Sequence, residues 1–244
     1  MAFDLALIAA GAFLAALVIG SAGFAFAIVV TGIWIYVLPP ASLVLLASIC
    51  ATLLHATNVW QFRRDIEFRL LWPFLVGAVA GVPLGVFALQ HVDTTLFREL
   101  FGVFMIAYST YMLMRPRLPR VILGPTAARL ADGAVGWVSG MLGGLAMLHG
   151  VLTTIWCGLR GWDKRRARCV YQPYIGFTAL LVMLTLGVNF EGDIGRLGLY
   201  LLACLPALAA GLWLGLRIFN WISEEHFRKL VLWLILVSGV VLLI

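Results

Sequence analysis

The amino-acid sequence predicts an all-α polytopic membrane protein made of two four-segment repeats, and three observations carry that prediction. The 244 residues are 63% hydrophobic and 11% charged, with a mean hydropathy of +1.05. A soluble domain is about 25% charged, so this chain lacks the polar surface to stay in water. Charged stretches divide it into eight apolar segments, near 5–38, 41–60, 70–90, 95–114, 130–159, 170–188, 196–216 and 227–244. Finally, the two halves resemble each other in segment order and in the placing of their glycines.

Six of the segments have the length of one helical crossing of a hydrocarbon core about 30 Å thick. Segments 5–38 and 130–159 are too long: at roughly 30 residues or more, each would exceed about 45 Å as one helix. Each carries a glycine cluster inside it, "GSAG" at 20–23 and "SGMLGG" at 139–144. The expectation is that both segments break at these clusters.

The repeat is visible without a gap. "GVPLGVFALQHVDTTLFREL" (81–100) aligns with "GLWLGLRIFNWISEEHFRKL" (211–230) at an offset of 130, pairing Gly81 with Gly211, Gly85 with Gly215 and Phe97-Arg98 with Phe227-Arg228. Gly20 and Gly23 match Gly140 and Gly143 at an offset of 120. The expected organisation is a first repeat over 1–118, a basic linker over 119–129 and a second repeat over 130–244, within one membrane domain.

Loop charge then sets a topology. Loops 63–69, 115–129 and 160–168 are basic, and by the positive-inside tendency they belong together on the cytoplasmic side of a plasma membrane. Loops 115–129 and 160–168 can share a side only if 130–159 enters and leaves by the same face, as a hairpin. The same plan in the first half gives each repeat one hairpin and three crossings, an odd number of crossings, so the repeats are expected to be inverted relative to each other. The alternative is eight plain crossings with parallel repeats.

The net charge of +6 is accounted for by these loops and gives no reason to invoke nucleic acid. Cys50, Cys157, Cys169 and Cys204 form neither a CxxC nor a Cys/His cluster and read as small core residues, with no metal or cofactor. The start "MAFDLALIAA" has no basic n-region, so no cleaved signal peptide is expected.

A helix broken inside a membrane frees backbone groups that persist only where protein or a wet cavity satisfies them. A helix starting at such a break presents unpaired N–H groups and a positive dipole end, which suit an anion. Gly20, Ser21, Gly23, Ser139, Gly140, Gly143 and Gly144 are therefore candidates for binding a small anionic solute at the midplane. The competing reading is that these glycines only let helices pack closely.

Several motifs resemble the sulfite exporter TauE/SafE family: the glycine-rich first segment ending in proline ("GSAGFAFAIVVTGIWIYVLPP"), its second copy "GWVSGMLGGLAMLHG", and the "G…PLG" and "G…LG" segments of the third elements. The resemblance covers essentially the whole chain. It implies an integral membrane permease linked to sulfite, organosulfonate and related anions. The chain departs from the family in its less continuous "GMLGG" and in carrying His149, where many members have an apolar run ending in proline.

Ionisable groups inside a membrane are functional candidates by default. Thr52, His55 and Asn58 fall on neighbouring turns and form one polar stripe. His149 follows the second glycine cluster, and "VYQPYIG" supplies Gln172 beside a helix-bending Pro173. Thr52, His55, Asn58, His149 and Gln172 complete the candidate site. An imidazole there would suit proton coupling. No Asp or Glu stands clearly at mid-membrane, so a carboxylate relay is not expected.

The function that follows is a secondary transporter of a small oxyanion, such as sulfite or an organosulfonate, working by alternating access in a lipid bilayer. The alternatives are an intramembrane enzyme, for which H-E-x-x-H and G-x-S-x-G signatures are missing, and a membrane assembly factor, for which the loops are short. Walker A is absent too, so this chain alone does not pump with ATP. Monomer and homodimer stay equally open.

Overall fold

A computed structural model describes residues 2–22, 26–62, 66–114, 120–188, 190–219 and 224–243. All regular structure among them is helical: α1 (Ala2–Ala22), α2 (Phe26–Trp34), α3 (Pro40–Phe62), α4 (Phe68–His91), α5 (Thr94–Met114), α6 (Pro125–Ala146), α7 (His149–Leu159), α8 (Lys164–Val188), α9 (Ile194–Phe219) and α10 (Glu224–Leu243). The six segments expected to cross once correspond to the helices α3, α4, α5, α8, α9 and α10. On length and composition, four described stretches are apolar enough to cross a membrane: Phe68–His91, Thr94–Met114, Arg165–Val188 and Ile194–Gly215. Large apolar side chains stand exposed along them, including Phe87, Leu202 and Trp213, as lipid contact requires.

Local chemistry marks the helix ends. Asp93, Asp163 and Asp193 each accept, on a carboxylate oxygen, the backbone N–H three residues on, at 2.8 to 2.9 Å, and so cap α5, α8 and α9. Pro40 and Pro125 open α3 and α6, where a missing N–H costs nothing.

The chain forms two compact units, and each draws on both halves of the sequence. The first comprises Met1–Cys50, Val92–Pro116 and Glu191–Ile244; the second comprises Ala51–His91 and Arg117–Phe190. In the first, α1 packs along α9 and α5 along α10; in the second, α4 packs along α6, and α8 covers both α4 and α7.

Both long segments fold back. In the first unit the Trp34 indole N–H, at the end of α2, donates to Ile8 O near the start of α1 at 3.0 Å. In the second, the Trp156 indole on α7 donates to Asp132 Oδ1 near the start of α6 at 2.7 Å, and Val121 N–H donates to Leu159 O at 2.6 Å. A segment whose two ends bond to each other is a hairpin.

Candidate functional site

The turn of the second hairpin lies three residues beyond Gly144. α6 ends at Ala146, and Met147 takes a left-handed conformation with φ of 60°, a geometry usually left to glycine. Its N–H donates to Gly143 O at 2.8 Å and that of Leu148 to Leu142 O at 3.2 Å, which satisfies the last carbonyls of α6. α7 restarts at His149 with the positive end of its dipole at the turn.

The glycines ahead of the turn face two ways. A Cβ on Gly136, Gly140 or Gly144 would strike α4, at Phe74 O, Ala78 Cα or Val82 O. From the other side, Gly77, Gly81 and Gly85 of α4 press on Gly133 O, Trp137 O and Met141 O. Small residues at every fourth position thus let two backbones touch. Gly143 is different, since a Cβ there would come 2.8 Å from His149 Cβ. Of the glycines singled out in the second cluster, Gly143 adjoins the histidine, whereas Gly140 and Gly144 turn towards α4.

Polar groups gather on the Gly143 side. Ser139 lies one turn earlier on the same face of α6 and is fully buried. Its Oγ lies beside the Tyr174 hydroxyl, but that hydroxyl donates to Gly136 O at 2.8 Å, and Ser139 Oγ has no hydrogen bond of good geometry. His149 is 2% exposed and its Nδ1 has no partner. On α8, Ile175 Cδ1 would meet a Cβ on Gly150 at 2.9 Å, and Gln172, one turn earlier on that face, is 4% exposed with its Oε1 unpartnered. His55 of α3 is 3% exposed with an unpartnered Nδ1.

Each orphaned buried polar atom costs about 1–3 kcal/mol, so the unpartnered Ser139 Oγ and His149 Nδ1 flanking Gly143 call for an explanation. A bound polar solute supplies one. The neighbouring hydroxyls are committed elsewhere: Thr153, Thr154 and Thr178 donate to carbonyls of their own helices at 2.6 to 2.8 Å. Thr52 is half-buried on α3. Gly20, Ser21 and Asn58 have helical backbones, but their side-chain surroundings, and Gly23 altogether, lie outside the described residues. No group of three or more His, Cys, Asp or Glu able to hold a metal occurs among the described residues.

Sequence reasoning missed Asp132. It lies two positions inside an apolar segment, is 3% exposed, and is held by Trp156 and by Arg160 Nη1 at 3.2 Å. The spacing that unites these three exists only once the segment folds back. At the same end of this unit the described parts of the three basic loops come together. Arg166 pairs with Glu67 at 3.3 Å, and the Arg120 side chain lies against Gly161. A cleft of about 350 Å³ opens there, lined by Glu67, Asp163, Arg165, Arg166 and Cys169.

The family model for sulfite exporter TauE/SafE matches residues 8–242. The chain belongs to the TauE/SafE family. It is accordingly a multi-pass membrane protein of the sulfite/anion exporter type, a family of transporters and not of enzymes. Comparison with curated proteins and comparison with solved structures each give no match. For this TauE/SafE member, then, residue roles rest on the geometry above.

Proposed function

We propose that this chain is a secondary transporter of a small oxyanion, sulfite or an organosulfonate, working by alternating access. One observation carries the reading: the hairpin starts α7 at His149, where the buried Ser139 Oγ and His149 Nδ1 flank Gly143 without partners. Hydroxyl and imidazole N–H donors with a helix start offer an oxyanion what its lost hydration shell supplied. Membership of the family supports the same class of solute.

The contacts of Glu67 with Arg166 and of Arg120 with Gly161, from three basic loops, support placing that end in the cytoplasm, with the protein in a plasma membrane. The counterpart glycine contacts, Gly81 on Trp137 O and Gly211 on Phe13 O, support two repeats joined by the 119–129 linker.

The test is flux of labelled sulfite into proteoliposomes, with methanesulfonate, sulfate and acetate as competitors. Saturable flux above empty vesicles is expected, blocked by the sulfonate and reduced at least 100-fold by His149→Ala. Flux equal to empty vesicles for every anion tried would remove the reading.

A further inference from the structure

The cleft of about 350 Å³ between Glu67 and the start of α8 lies outside the hairpin site and has a charge pattern of its own. One wall is formed by Asp163, Arg165, Arg166 and Cys169, so the positive dipole end of a 25-residue helix lies there. The sequence dictates that start. Asp163 caps the helix, its Oδ1 accepting the Arg166 backbone N–H at 2.8 Å, and "KRRAR" follows directly. The Asp163 carboxylate is thereby committed to the helix it opens. Further arginines flank the cleft: Arg69 follows Glu67 by two residues, Arg168 follows Arg165 by one turn, and the Arg120 side chain lies against Gly161. Guanidinium groups outnumber carboxylates here among the described residues, and the surplus draws anions.

Arg166 is held in two ways. Its guanidinium carbon lies 5.7 Å from the centre of the Trp162 ring. That ring packs on the core around Leu71, Phe74 and Tyr171, and carries on it Arg160, at 5.3 Å, which is itself bonded to Asp132. Stacking uses the face of the Arg166 guanidinium and leaves its edge, a fork of N–H donors that fits two oxygens of one oxyanion at once. The edge has a poor partner. It makes a single contact, Nη2 to Glu67 Oε2 at 3.3 Å, where charge-assisted bonds run to about 2.7–2.9 Å. The two side chains are 44% and 51% exposed, so water screens the pair and it holds weakly.

We infer that this cleft is an oxyanion-binding site at the cytoplasmic mouth, where the transported anion takes the place of Glu67 on Arg166 before moving inward. The inference rests on the transporter reading above and adds a second, shallower place for the same solute. Trp162 keeps the guanidinium in position when Glu67 lets go, and Glu67 swings into water it already half occupies. Arg166 is paired before and after the exchange, so loading and unloading are both cheap, as a mouth requires. The tethered carboxylate also competes with every arriving anion. Chloride, with one point of contact, displaces it less well than a sulfonate or sulfite that offers the fork two oxygens.

The probe is methanesulfonate, presented to one face at a time of oriented vesicles made from phosphatidylcholine alone, with binding to the purified protein measured by calorimetry in discs of the same lipid. At the cytoplasmic face KM should rise about tenfold in Arg166→Gln and fall about threefold in Glu67→Gln, since one change removes the receptor and the other its competitor. Arg166→Lys, which keeps the charge and loses the fork, should fall between native and Arg166→Gln. Opposite shifts from two changes at exposed positions exclude misfolding as their cause. Native KM at that face should rise with ionic strength, and Arg166→Gln should flatten the rise. Flux whose cytoplasmic KM ignores both variants would overturn the cleft site and leave the transporter standing. Binding weakened by Arg166→Gln in a protein without flux would uphold the site and remove the transporter reading. Thermal stabilisation by phosphatidylglycerol that Arg166→Gln abolishes, with no response to free methanesulfonate, would make the cleft a lipid site and overturn the inference. Absence of both binding and flux would overturn both readings.

Discussion

In the unit built from residues 1–50, 92–116 and 191–244, α9 lies on α1 through Gly211 and Gly215, which press on Phe13 O and Leu17 O. In the unit built from 51–91 and 117–190, α4 lies on α6 through Gly81 and Gly85, which press on Trp137 O and Met141 O. The joints are counterparts: the third element of one half packs on the first element of the other. Each hairpin is also closed by a tryptophan, Trp34 on Ile8 O and Trp156 on Asp132. The interiors differ. Among the described residues of the first unit, Ser48 and Ser109 donate to their own helices, and Arg98 donates to Ile35 O at the end of α2. The second unit gathers unpartnered atoms of two histidines, a glutamine and a serine. Among the described residues the first unit has Thr31 Oγ1 and Arg98 Nε unpartnered, so more of the unpartnered atoms lie in the second.

The most damaging way to test the shared joint is to fill it. Gly81→Leu and Gly211→Leu each force a side chain into backbone atoms that cannot yield, and overpacking of this kind exceeds the ~1–3 kcal/mol of ordinary core insertions. Both variants should be lost from the monodisperse fraction in gel filtration, to similar extents. Gly198, where an added Cβ would meet nothing within 4 Å, is the control, and Gly198→Ala should elute like the native protein. Loss at one joint and tolerance at the other would break the equivalence.

The hairpin closures should rank next. Asp132→Asn keeps an acceptor for Trp156 but leaves Arg160, whose side chain is 14% exposed, without its carboxylate. The cost should be about 3 kcal/mol, near the lower end for breaking a buried pair. Trp34→Phe removes one neutral hydrogen bond to Ile8 O and should cost about 1 kcal/mol. Unfolding free energies in mixed micelles separate the two. Equal losses would mean that the ion pair adds nothing beyond the indole bond.

The sequence allowed most of the long helices to be read to within a few residues, because a membrane imposes length and charge marks the ends. It also favoured the hairpins over eight plain crossings, through the excess length of two segments and the shared charge of three basic loops. The turn itself was less legible. Glycines draw attention as helix breakers, yet Gly140 and Gly144 sit inside α6, and the left-handed residue is Met147. Register was blurred for a related reason. The contacts Phe13 and Trp137, Leu17 and Met141, and the helix ends Ala22 and Ala146, are each 124 residues apart, not the 120 suggested by Gly20 and Gly140. Small residues recur every fourth position along this helix, so the pattern can slip by about one turn and still match itself. Asp132 was illegible because its partners lie 24 and 28 residues away.

The smallest expected effect is the most informative about the interiors. Thr31 in the first unit and Ser139 in the second are both fully buried with an unpartnered hydroxyl oxygen. On packing grounds alone they are equivalent, and replacing either hydroxyl should return about 1 kcal/mol by removing an unsatisfied group. Thr31→Val should do that and leave anion flux within about twofold, since Ser139 and His149 belong to the other unit. Ser139→Ala should also stabilise, but should lower flux about tenfold, the size of one lost hydrogen bond of about 1.4 kcal/mol to a bound anion. Stability and flux moving in opposite directions identify a hydroxyl that the fold tolerates for the sake of a ligand. If Thr31→Val lowered flux as much as Ser139→Ala, the polar interior would extend into both units, and the asymmetry drawn between them would fail.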